Sequence, residues 1–190
     1  MSHAVYQTQA VVLRSKNMRE SNKILTLYTQ SFGLIYATLQ SVREGKSKMK
    51  YHTQLHSLII VDLVRGRDIW RIVGVHEQYS SFSFLGTPWY SMIDRISSIT
   101  LRLCKGEEPE PQLWRDYEQL HRYIHDQNRY HASIEQLYVI RILYVLGYWD
   151  GEESFLLEEN PLRESILLSV EQEIQRLNYQ INTSLQETQL

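Results

Sequence analysis

The sequence predicts an α+β chain in two parts, an N-terminal small five-stranded antiparallel β-barrel followed by an all-α C-terminal half. Three observations carry this. The first 80 residues fall into short runs rich in Val, Ile, Leu, Thr and Tyr, with no room between them for a crossover helix. From Gly86-Thr87-Pro88 onward, apolar residues recur at helical spacing. Charge divides at the same place. Residues 1–80 carry eleven Lys and Arg against five Asp and Glu, whereas residues 81–190 carry nine against seventeen. The expected division is therefore 1–80 and 81–190.

Gln7–Ser15 and Ile24–Thr29 read as strands, and Leu34–Leu39 follows a turn at Phe32-Gly33. Leu55–Val64 is a long apolar run that Arg65-Gly66-Arg67-Asp68 ends before Ile69–Val75, a hairpin with two cations at its tip. Five such strands fit an OB-type barrel in size and number, although their order in the sheet is not legible. Tyr28 and Tyr36 are expected in its core. Pro88–Leu103 places Met92, Ile96, Ile99 and Leu103 on one helical face, and a helix from Pro111 to about Gln127 offers Leu113, Tyr117, Leu120 and Ile124. Between them, Gly106-Glu107-Glu108-Pro109-Glu110 reads as a solvated turn. Ser133–Leu146 is apolar almost all round, as a buried central helix is, and Gly147 stops it. Asn160-Pro161 opens a last helix with a stripe of Leu162, Ile166, Val170, Ile174, Leu177 and Ile181, and the chain is expected to fray after Asn182.

Composition narrows the function. No run approaches the ~18–20 apolar residues of a membrane span. The start, Met1-Ser2-His3-Ala4-Val5, lacks the pattern of a signal peptide. A soluble, cytoplasmic and nucleoid-associated protein is expected, with no membrane partner. A single cysteine, Cys104, excludes an internal disulfide and a thiolate zinc cluster, and it is expected as an ordinary core residue. His121 and His125 have the i, i+4 spacing of a metal pair but lack a third ligand and the glutamate of H-E-x-x-H. Gly45-Lys46-Ser47 lacks the upstream glycine of a phosphate-binding loop. No catalytic constellation is visible, so no enzyme, metal or cofactor is expected.

What the chain does offer is cations. Arg43, Lys46, Lys48 and Lys50 fall within eight residues just after the third strand, a segment that must keep its charges in water. Arg14, Lys16, Arg19, Lys23, Arg65 and Arg67 lie at other strand ends and loops. Such a set holds phosphates without reading bases. Single strands also need stacking platforms, for which Tyr51 and Trp70 are best placed, burial in the barrel being the competing fate of each.

These residues resemble the bacterial RecO recombination mediators. The family's opening ‘AIVLR’ strand is similar to Ala10-Val11-Val12-Leu13-Arg14, and its ‘GESDR-x-x-TLFT’ segment to Arg19-Glu20-Ser21-Asn22-Lys23-Ile24-Leu25-Thr26-Leu27-Tyr28-Thr29. The basic ‘KGARK-x-KSR’ loop matches Gln40–Lys48 in position, ‘LQPF’ is echoed by Thr53-Gln54-Leu55-His56, and ‘YRGR’ by Val64-Arg65-Gly66-Arg67. ‘LRLLGY’ looks like Arg141-Ile142-Leu143-Tyr144-Val145-Leu146-Gly147-Tyr148. Gln40, Ser41 and Leu55 replace the family's Lys, Gly and Pro, Glu44 adds an anion, and the zinc cysteines of many members are absent. The resemblance implies an OB-fold that binds single- and double-stranded DNA and anneals complementary strands. It further implies assistance in loading RecA onto DNA coated with single-strand-binding protein, with RecR and the C-terminal tail of single-strand-binding protein as partners. Arg122, Arg129 and Arg141 are the cations available to that tail. The competing reading is a protein-interaction adaptor whose OB-fold binds DNA only weakly.

Overall fold

The computed structural model describes residues 4–18, 22–40, 52–126 and 129–188. Five strands, β1 (Val5–Met18), β2 (Asn22–Thr29), β3 (Gly33–Leu39), β4 (Leu58–Arg65) and β5 (Trp70–Tyr79), close into a barrel in the order β1-β2-β3-β5-β4. All neighbours are antiparallel except β3 and β5, which meet in parallel at Ala37–Trp70 and Thr38–Arg71. This is the expected OB-type barrel, and the order that sequence left open is now fixed. Its interior is filled by Ala10, Val12, Leu25, Leu27, Ile35, Leu39 and their counterparts on β4 and β5.

The strand-to-helix change comes after Tyr79. A 3-10 turn, Ser81–Phe84, is capped by the Ser80 side chain and leads to α1 (Pro88–Leu103) and α2 (Pro111–His125). Then come α3 (Ser133–Val145), α4 (Glu164–Gln172) and α5 (Ile174–Glu187). Central α3 is buried on nearly every side and touches all four other helices, as its all-round apolar character requires. The single last helix expected from Pro161 is instead two, opening at Glu164 and broken at Glu173. The buried stripe runs Leu162, Leu167, Val170, Leu177, Ile181, with Ile166 partly buried beside it, and helix continues past Asn182 to Glu187.

The helices cover one flank of the barrel. Val11, Leu13, Tyr28, Leu34 and Leu58 point outward from the strands into the helical core. The turn between α1 and α2 keeps Glu107 and Glu108 exposed, as a solvated turn should, while its backbone is strapped to the barrel. The Tyr28 hydroxyl accepts from Glu110 N at 3.1 Å and donates to Glu110 O at 3.3 Å. A Cβ on Gly33, whose φ is +63°, would stand 2.3 Å from the Glu108 carbonyl oxygen, so only glycine lets the strap lie this close.

Two buried polar groups tie the elements together. Arg141 on α3 is fully buried and donates to Asp116 on α2 through Nε at 3.0 and 3.1 Å and Nη2 at 2.7 Å, while Nη1 reaches the Phe155 carbonyl. It is therefore not available to an acidic tail. His56, fully buried at φ +67°, contacts Asp94 through Nε2 at 3.1 Å and Ser97 through Nδ1 at 3.3 Å. Both ring nitrogens of His121 face carbonyls, Tyr117 O at 2.7 Å and His56 O at 2.9 Å, which occupies this ring in joining α2 to the barrel rather than in holding a metal. Burial lowers the pKa of both histidines, outweighing Asp94 at His56 and the two carbonyls at His121.

Arg141→Ala is expected to cost about 3–5 kcal/mol in urea unfolding by stranding Asp116, and Arg141→Met with Asp116→Leu to recover most of that loss. A double variant as unstable as the single one would contradict the ion-pair account. For the histidines, the unfolded chain takes up protons near pH 6.5 and the folded chain only lower. Their contribution to stability is thus present above about pH 6.5 and declines as pH falls through the window below it, by at most ~1.4 kcal/mol per pH unit for each ring. Urea midpoints between pH 7.5 and 5 check this, and His121→Gln should flatten the decline.

Candidate nucleic-acid interface

Beyond the helical flank, Arg14, Lys16, Tyr36 and Arg71 are exposed on the barrel's outer surface among the described residues. A bulge between Val12 and Arg14 inserts Leu13 into β1, and past it the strand turns from buried to exposed. Cross-strand register then assembles two rows on the outer face. Arg14 pairs with Thr26 and Thr26 with Tyr36, whereas Lys16 pairs with Ile24, Ile24 with Thr38 and Thr38 with Arg71. Neighbouring strands lie ~4.8 Å apart, so Arg14 stands about 10 Å from Tyr36 across the sheet.

Tyr36 is the aromatic of this face. It is 57% exposed, which corrects the expectation that it lies in the core. Strand alternation gives the reason, because Ile35, Ala37 and Leu39 point inward and Tyr36 must point out. Tyr28, also outward on β2, is buried because helices cover its position. Trp70 is the converse case. At 3% exposed it belongs to the barrel core and packs on Phe32, at a centroid distance of 4.9 Å, and on Tyr6 at 5.7 Å. It is withdrawn as a stacking platform, since its ring offers no free face.

Arg14, Lys16, Arg67 and Arg71 are exposed, Lys23 is half-buried at the start of β2, and none of the five has an ion-pair partner among the described residues. Arg65 is different, because it is paired with Glu107. Arg19, Arg43, Lys46, Lys48, Lys50 and Tyr51 lie outside the described residues. Arg71 and Tyr36 were missed in the sequence. The signal for Arg71 was its place between inward Trp70 and inward Ile72. In OB-type barrels oligonucleotides lie on the face of strands 2 and 3, flanked by the loops after strands 1 and 4. Here Tyr36 and Thr38 on β3 and the Arg67 turn between β4 and β5 occupy those places, with Arg71 on β5 beside Thr38.

Elsewhere, burial pushes the Cys104 thiol up to about 11, so it stays protonated and inert. Arg122, bridged to Glu118 at 3.6 Å, borders a surface cleft of about 350 Å³ with Tyr123, Asn160 and Leu162. No helix among the described residues is long and apolar enough to cross a membrane.

Comparison with known proteins concerns the barrel as a whole. A family profile described as recombination protein O N terminal matches residues 1–76, which include β1 to β4 and most of β5. The DNA repair protein RecO of Dehalococcoides mccartyi strain 195 is 36% identical over 69 residues, 36% of this chain and 27% of that one. The DNA repair protein RecO of Clostridium novyi is 22% identical over 151 residues, 76% of this chain and 57% of that one. For the DNA repair protein RecO of Gloeothece citriformis the identity is 26% over 112 residues, 57% of this chain and 39% of that one. The matches thus span between about a quarter and little more than half of these relatives' length. The barrel of this chain is thus similar to the N-terminal part of recombination protein O.

Proposed function

We propose that this protein is a recombination mediator in DNA repair that works by binding rather than by catalysis. It holds single- and double-stranded DNA without sequence choice, anneals complementary strands and assists RecA loading onto DNA coated with single-strand-binding protein. The observation that carries the reading is the outer barrel face, where exposed Tyr36 stands among Arg14, Lys16 and Arg71, cations with no ion-pair partner among the described residues. Cations neutralise phosphates and an aromatic ring stacks on any base, a combination that is tolerant of sequence. Annealing needs that tolerance. Two strands repel each other, a shared cationic surface lowers the repulsion, and base pairing supplies the information.

In this reading residues 1–80 carry the DNA, with Lys23 and Arg67 as further contacts, and with Arg19, Arg43, Lys46, Lys48, Lys50 and Tyr51, outside the described residues, proposed as DNA-binding on their residue type. Residues 81–190 meet the protein partners RecR and the tail of single-strand-binding protein. Arg122 at its cleft and exposed Arg129 remain as cations for that tail.

Anisotropy of a labelled ~30-nucleotide single strand against salt tests the reading. Tight binding that weakens steeply with salt is expected, and absence of binding at low salt favours the adaptor instead. Replacing Arg14, Lys16 and Arg71 together by Ala should flatten the slope of log K on log salt by up to about 2, at ~0.7 per phosphate contact. Tyr36→Ala should weaken binding by ~1–3 kcal/mol and leave the slope unchanged, because stacking releases no counterions. Equal effects of both variants on the slope would contradict this division of roles.

A further inference from the structure

The β4–β5 hairpin tip, the end of β3 and the start of β5 enclose a cleft of about 390 Å³ lined by Thr38, Arg65, Arg67, Asp68 and Arg71. Arg67 and Arg71 have no partner among the described residues. The Arg65 guanidinium lies 4.7 Å over the Trp70 ring and donates through Nη1 to Glu107 Oε2. The other Glu107 oxygen accepts from Trp70 Nε1 at 3.0 Å. An acid from the strap between the helices thus places a two-oxygen anion at the edge of a cleft that is otherwise short of anions. Asp68 is the acid of the lining itself.

We propose that this cleft is a phosphate subsite and that Glu107 is its built-in competitor, surrendering Arg65 to a backbone phosphate as a strand binds. The inference rests on the nucleic-acid reading above. Exchange is feasible because the pair lies in water, with Arg65 58% and Glu107 39% exposed, and ion pairs so exposed are weak. A nucleic acid also releases condensed counterions on binding, a gain that the intramolecular carboxylate lacks. The strap itself need not leave. Glu108 stays against Gly33 and Glu110 on Tyr28 while only the Glu107 side chain swings.

The test compares binding of a ~30-nucleotide single strand to wild type, Glu107→Gln, Glu108→Gln and Glu107→Gln with Arg65→Ala, each at several salt concentrations. Glutamine keeps an acceptor for Trp70 Nε1 and so spares the packing. Glu107→Gln is expected to bind roughly two- to five-fold tighter at low salt, the range an exposed ion pair supplies, and with a steeper salt slope. Glu108→Gln removes the same charge one residue along and should not gain, and the gain should vanish when Arg65 is also removed. If wild type binds but Glu107→Gln matches it, or if Glu108→Gln gains equally, the competitor is overturned and the nucleic-acid reading stands. If neither wild type nor Glu107→Gln binds at low salt, both fall.

Discussion

The rest of the molecule depends on β1 being buried on both faces. Ala10 and Val12 fill the barrel while Val11 and Leu13 fill the helical core, so four consecutive apolar residues are out of water. A strand used on both faces cannot alternate apolar with polar, and it pins the helices to one flank of the barrel. The bulge at Leu13 ends this double duty, and the next residue, Arg14, is exposed. Helices therefore take the outer surface near Val11, Tyr28 and Leu34 and leave the outer surface near Arg14, Tyr36 and Arg71 open. One strand thus sets both the packing between the halves and the limits of the candidate interface.

Electrostatics follows the same boundary. Among the described residues, the basic half leaves Arg14, Lys16, Lys23, Arg67 and Arg71 without an ion-pair partner. The acidic half spends its charges largely on itself, as in Arg95 with Glu135, Arg163 with Glu158 and Arg176 with Glu153 and Glu173. Glu107 is the crossing point, an acid of the helical half bonded to an arginine of the barrel. Surface pairs of this kind add little to stability. What they alter is which cations face an incoming polyanion.

Much of this was legible in the sequence. The strands, the hairpin at Arg65–Asp68, α1 from Pro88 and α3 ending before Gly147 follow from local pattern, because turn residues and periodicity act over a few positions. The fates of Tyr36 and Trp70 did not. Each sits in a strand where alternation gives inside or outside, but whether an outward ring is covered depends on where distant helices dock. Strand order, the strap at Glu107–Glu110 and the buried Arg141–Asp116 pair were hidden for the same reason, being contacts between residues far apart in the chain. The break at Glu173 was masked by an apolar stripe that continues across it.

Photocrosslinking of a single strand carrying 5-iodouridine, followed by mass spectrometry of the linked peptides, tests the central claim most directly. If the outer barrel face is the DNA-binding surface, the crosslink falls on Tyr36 and is lost in Tyr36→Leu. Crosslinks confined to the aromatics of the helical half, such as the exposed Tyr179, would contradict it.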